Sequence, residues 1–155
     1  MPAHGPTGYA FNRTRTTYLA TELAIARTHW TRFRGLMATD AVHFRSGQGL
    51  WIVPCHGVHT FAMRFPIDVV FVDGHWRVIH LRPAMAPFRM TGFHWKARCV
   101  LELPSGVIAQ TSTMIGDQLS VVENSPYPAK QRSVSAHGSS IKSHAEEYLK
   151  SEEID

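Results

Sequence analysis

The chain has 155 residues, 44% of them hydrophobic, which is enough for one core without help from a metal or a disulfide. Sixteen Lys and Arg oppose twelve Asp and Glu, and five of the acidic residues but only two lysines lie beyond Val134, so a basic body precedes an acidic tail. Two cysteines argue against a disulfide scaffold, scattered arginines against a dense polyanion-binding run, and the absence of any long apolar window against a membrane span.

Residues 1–15 are rich in Gly, Pro, Thr and Arg without periodicity, which predicts a flexible arm. They also lack the apolar run of a secretory signal, so the chain as given reads as cytoplasmic. From Thr17 to Ala26 alternation and β-branched residues predict a strand with Leu19, Leu23 and Ile25 on its inner face. Thr28 is a candidate N-cap for a short helix carrying Trp30, Phe33 and Met37, and a further helical turn is possible over 40–44. After the Ser46-Gly47-Gln48-Gly49 turn, Leu50-Trp51-Ile52-Val53 reads as a buried strand ended by Pro54.

The next fifteen residues gather a thiol, two imidazoles, a guanidinium and a carboxylate: Cys55, His56, His59, Arg64 and Asp68. A second buried strand is predicted over Ile67–Val72, then an Asp73-Gly74 turn of type I′, then an antiparallel return over 76–81. Residues 82–95 form a long connection with Phe88, Phe93 and Trp95. The segment 96–103 fits a strand with Cys99, Leu101 and Leu103 inside, and fits a helix about as well. A weak helix over 107–114, a Gly116-Asp117 turn and a strand over 118–123 complete the domain. Beyond Pro126 and Pro128 the apolar content collapses, and residues from about 129 onward read as tail.

Several separated runs resemble one family. They are Arg34-Gly35-Leu36-Met37, then Phe61-Ala62-Met63-Arg64-Phe65-Pro66-Ile67-Asp68 running on to Asp73, then Val100-Leu101-Glu102-Leu103-Pro104-Ser105-Gly106, then Gly116-Asp117. Their order is similar to that in the bacterial and archaeal domain of unknown function 192, over about residues 24–122. The chain departs from the commoner pattern, in which an aromatic-Met-Lys-Asn-Thr segment precedes a Pro-Leu-Asp. The resemblance implies a small β-rich domain, in a family that includes exported and envelope-associated proteins, and it transfers no catalytic residue.

Three chemistries compete for the polar loop. Cys55, His56 and His59 offer donors that a zinc ion accepts, but without the paired spacing of a structural site. A Cys55 nucleophile with an imidazole base is the hydrolase alternative, although His56 on an extended segment points away from Cys55. Asp68 entering an apolar strand must find a partner, so it either braces the loop through backbone N–H groups and Arg64 or sits at the mouth of a pocket. Asp117 reads as a turn residue bonded to its own backbone, and Glu102 as a carboxylate needing solvent or an arginine. The aromatic set Trp51, Phe61, Phe65, Phe88, Phe93 and Trp95 reads as mostly core.

These observations predict a mainly β fold, a small barrel or strongly curved antiparallel sheet with one or two short helices. The domain spans 16–128, between an arm over 1–15 and a tail over 129–155. The expected function is that of a small binding or accessory domain, with His56, His59, Met63, Arg64, Asp68 and Glu102 on a loop-strand rim facing a small molecule or polymer segment. No cofactor is expected, and no oligomeric state is indicated. A metal-dependent or Cys/His hydrolase and a weak polyanion-binding module are the alternatives.

Overall fold

In a computed structural model, residues 8–27, 44–125 and 127 are described. The predicted helix after Thr28 and the tail from 129 onward lie outside them. Among the described residues, eight strands and one helical turn follow in the order β1 Gly8–Asn12, β2 Thr17–Ala20, β3 Glu22–Ala26, β4 Gln48–Ile52, β5 Ile67–Val72, β6 Val78–Met85, β7 Cys99–Pro104, α1 Val107–Gln110 and β8 Leu119–Glu123. They build a three-stranded sheet of order β2-β1-β8 and a five-stranded sheet of order β3-β4-β7-β5-β6. The fold is therefore β-rich and curved, in two sheets. All pairings are antiparallel except β3 with β4, which run parallel.

The run Ile67–Val72 is apolar at nearly every position because β5 is covered on both faces. Val70 and Val72 pack with Leu19, Trp51, Leu101 and Leu119 toward the small sheet. Ile67, Val69 and Phe71 pack on the opposite face with Ile52, Met63, Phe65 and Val100. Fully burying each such side chain contributes roughly 1.5–3 kcal/mol, so this central strand is the main apolar anchor of the molecule. The segment read as strand or helix is strand β7, whose alternation puts Leu101 and Leu103 on one face and Val100 on the other.

Two expectations change. The predicted single strand from Thr17 breaks at Thr21, where the N–H groups of Thr21 and Glu22 both donate to the Gly47 carbonyl, at 2.7 and 2.9 Å. The break sends β2 into one sheet and β3 into the other, with Leu19, Leu23 and Ile25 still directed to the shared core. Residues 8–12, assigned to the arm by composition, form the middle strand β1, and Ala10 and Asn12 are fully buried there. Gly8 lies so close to the partner strand that a Cβ would sit 2.0 Å from the Val122 carbonyl oxygen. The glycines and small residues that looked like linker chemistry therefore allow close backbone approach.

Asp117 holds this strand in place. Its carboxylate accepts hydrogen bonds from Asn12 Nδ2 (2.9 Å), Arg15 Nε (3.0 Å) and the Met114 N–H (2.9 Å). Burial pulls its pKa upward, but the bonds from Arg15, Asn12 and Met114 outweigh that and hold it below the ordinary value. The residue joins its own turn, as expected, and also reaches across the chain to β1.

Candidate functional site

The chain leaving β4 and the chain leaving β6 meet as an antiparallel ribbon, bridged at His59 and Met90. The Thr60 N–H donates to the Arg89 carbonyl (2.8 Å), Phe88 N–H to the Thr60 carbonyl (3.0 Å), Thr91 N–H to Val58 (2.9 Å) and His94 N–H to His56 (2.8 Å). The Thr60 hydroxyl, fully buried, donates to the Ala86 carbonyl at 2.7 Å and accepts from the Arg89 N–H at 2.9 Å. Val58 and Thr60 face the core, so the alternate positions face out.

The outward positions are apolar. Phe88, Met90, Phe93 and Trp95 are 65–74% exposed, and Phe61 is 45% exposed. Four of the six aromatics expected in the core are thus on the surface, and only Trp51 and Phe65 are buried. The reason is local: pairing with 55–61 fixes the orientation of the long connection, and its core-facing positions are taken by Val58, Thr60 and Met85. Phe88 has φ 57°, a left-handed conformation uncommon for an aromatic residue, and the Thr60 bonds on either side hold it there.

The six predicted rim residues divide into two groups. His56 and His59 lie on the ribbon, their rings packed on Phe93 and Phe61 at centroid distances of 5.2 and 5.3 Å. Arg64 is exposed beyond its turn. Met63, Asp68 and Glu102 turn inward, at 3%, 1% and 5% exposure, and form no rim. Asp68 braces the fold instead: its oxygens accept from the Ala84 N–H (2.8 Å), the Gly106 N–H (3.1 Å) and the Ile108 N–H (2.8 Å). An acceptor used by three backbone donors from two other segments has little left for a ligand.

Glu102 sits on β7 opposite Leu50 and Val69, on the face that carries the second apolar cluster. No hydrogen bond to its carboxyl is formed among the described residues, and burial pushes its pKa up to about 8. It is held mostly as the neutral acid at pH 7.

The proposed metal set is not assembled. The Cys55 thiol is directed to the Gly57 carbonyl (3.1 Å), the His56 and His59 rings lie on separate phenyl rings, and among the described residues no three His, Cys, Asp or Glu side chains are grouped to hold an ion. Cys99 is buried, and burial raises its thiol pKa to about 11, which keeps it protonated. Neither cysteine forms a disulfide.

Sequence reasoning missed a second concavity of about 450 Å³, lined by Trp51, Trp76, Arg27, Arg98, Cys99 and Glu123. The indoles of Trp51 and Trp76 stack there, 5.7 Å apart and 9° from parallel, and Arg27 pairs with Glu123. It missed Thr60 as well, because a single threonine in a loop carries no pattern. The aromatic spacing of the long connection was the available signal for the ribbon.

The fold and this surface define a small two-sheet β domain that presents an aromatic ribbon. The chain belongs to the family of domain of unknown function 192, described as "Uncharacterized ACR", whose model matches residues 10–121. That match reaches back into β1, further than the motifs alone. The chain is 33% identical over 113 residues to a UPF0127 protein of Thermococcus sibiricus, covering 70% of this chain and 71% of that protein. The fold resembles the crystal structure of a protein of unknown function from Novosphingobium aromaticivorans, with a TM-score of 0.64 at 18% identity, over 77% of this chain and 89% of that one. It is a family of unknown function. Among the described residues no helix is long and apolar enough to cross a membrane.

Proposed function

We propose that this is a binding domain whose contact surface is the ribbon of 55–61 and 86–95, with His56 and His59 as its polar members and Arg64 beside it. The observation that carries the reading is the set of five large apolar side chains left 45–74% exposed on a hydrogen-bonded backbone. A contiguous apolar patch on a rigid scaffold marks an interaction site more often than a solvated loop does. The two sheets act as the platform, since the Asp68 and Thr60 bonds fix the chain on either side of the ribbon.

The test uses 8-anilino-1-naphthalenesulfonate, an aromatic probe that brightens on apolar surfaces. Native protein is expected to enhance its fluorescence, and the triple replacement Phe88→Ser, Met90→Ser, Phe93→Ser to remove most of the enhancement while far-ultraviolet circular dichroism stays the same. An undiminished signal in the folded triple variant would show that the ribbon is not the adhesive surface.

A further inference from the structure

We infer that the occupant of the ribbon is a bilayer surface carrying anionic lipid headgroups, an assignment that rests on the ribbon being the contact surface. The first observation is charge. No Asp or Glu occurs from residue 41 to 67 or from 74 to 101, the two stretches that supply the ribbon, whereas Arg82, Arg89, Lys96 and Arg98 in them are exposed. Arg98 lines the concavity it shares with Asp73 and Glu123, but Arg89 and Lys96 sit among the ribbon's apolar residues, and an apolar patch carrying cations complements an apolar layer bordered by anions.

The second observation is the order of chemistry along the ribbon. Arg89 stands between Phe88 and Met90, and Lys96 directly follows Trp95, so cations are sequence neighbours of the insertable side chains. The Lys96 ammonium lies over the Trp95 ring, 5.0 Å from its centre, so this exposed indole carries a positive charge against one of its faces. Tryptophan with such a neighbour suits the headgroup level of a bilayer, where apolar body and polar tip are both accommodated.

The third observation is shape. Phe88, Met90, Phe93 and Trp95, at 65–74% exposure, stand out from the ribbon into solvent. Single-stranded nucleic acid is gripped in a charged groove with rings lying flat against bases. Here the rings of Phe61 and Phe93 are already packed against His59 and His56. Projecting apolar tips on a hydrogen-bonded ribbon enter a deformable apolar layer without needing a matched surface.

Co-sedimentation with vesicles of phosphatidylcholine, alone or mixed with phosphatidylglycerol, tests the assignment. The full chain should bind the mixed vesicles, with a blue shift of Trp fluorescence, and release them at high salt. The pair Arg89→Glu, Lys96→Glu should weaken binding about tenfold or more, since each cation near an anionic surface contributes a severalfold factor. The triple serine variant should lose both binding and blue shift. Equal binding to vesicles with and without anionic lipid, or binding unchanged in the triple variant, would overturn the assignment. If the chain ignores both vesicles but retains ribbon-dependent dye binding, the lipid assignment falls and the ribbon stands. Binding to oligothymidylate that the triple variant loses, with none to vesicles, moves the occupant to nucleic acid and likewise overturns the lipid assignment. Loss of dye binding in native protein as well removes both.

Discussion

Thr60 is fully buried and its hydroxyl bonds to two residues of the opposing strand, so the ribbon depends on one oxygen atom that is invisible at its surface. Thr60→Val keeps the shape but leaves the Ala86 carbonyl and the Arg89 N–H without that partner. The expected cost is about 1–3 kcal/mol, read by urea unfolding, with amide exchange at Arg89 accelerated more than in β5. Glu102 has the opposite character, a buried polar group without a hydrogen-bond partner among the described residues. Its folded pKa of about 8 lies above the ordinary 4.5, so the folded protein holds a proton that the unfolded chain has released between those values. Stability from this residue is full below about pH 4.5 and is lost as pH rises through about 8. Glu102→Gln should flatten that slope and stabilise the protein at pH 8 by on the order of 2 kcal/mol. Denaturant midpoints measured from about pH 4 to about pH 9, which bracket that window, would expose an unchanged slope. Asp117 works in the other sense, stabilising above its unfolded pKa and losing that contribution as pH falls through its depressed folded value.

The hairpin of β5 and β6 shows how far an element is legible from its own residues. The apolar run Ile67–Val72 and its antiparallel return are written in period and composition, and both are present. The turn is not a two-residue type I′ reversal at Asp73-Gly74. The Asp73 N–H donates to the Arg77 carbonyl (3.0 Å), the Asp73 carboxylate accepts from the His75 and Arg77 N–H groups (2.8 and 3.0 Å), and Trp76 takes φ 63°. Trp51, on β4, decides this by stacking on the Trp76 ring, and no reading of the turn alone contains that contact. A residue without a side chain tolerates φ 63° freely, so Trp76→Gly should be less destabilising than Trp76→Ala by about 1 kcal/mol. Thermal unfolding of the two variants decides it, and a reversed order would mean the backbone there is unstrained. The candidate site follows the same division. His56 and His59 were readable as surface loop residues, whereas Asp68, Met63 and Glu102 were misplaced because cover on the second face of the large sheet comes from loops distant in sequence.

For the molecule as a whole, β1 is the clearest limit of local reading. Its residues, Gly-Tyr-Ala-Phe-Asn, carry no more strand signal than their neighbours, and they become a central strand only because β8 pairs along their full length. Removal of residues 1–12 should therefore abolish cooperative unfolding, since it strips β2 and β8 of their shared neighbour and leaves Asp117 without Asn12. A truncated chain with an intact sigmoidal transition would show that the small sheet is dispensable.

The pairing of Tyr9 with Val122 and of Asn12 with Leu119 also has a temporal meaning. During synthesis the amino-terminal strand can pair with β2 at once, but it waits for almost the entire domain to be made before its second partner, β8, exists. The large sheet has all its strands once β7 is out, yet the layer over its first face closes only with the last strand. Until then Leu101, Leu103 and Val70 lack part of their covering, and the nascent protein leaves apolar surface open. Slowing translation before β8 has emerged from the ribosome should lengthen that interval and favour aggregation, whereas a pause after it has emerged should be harmless.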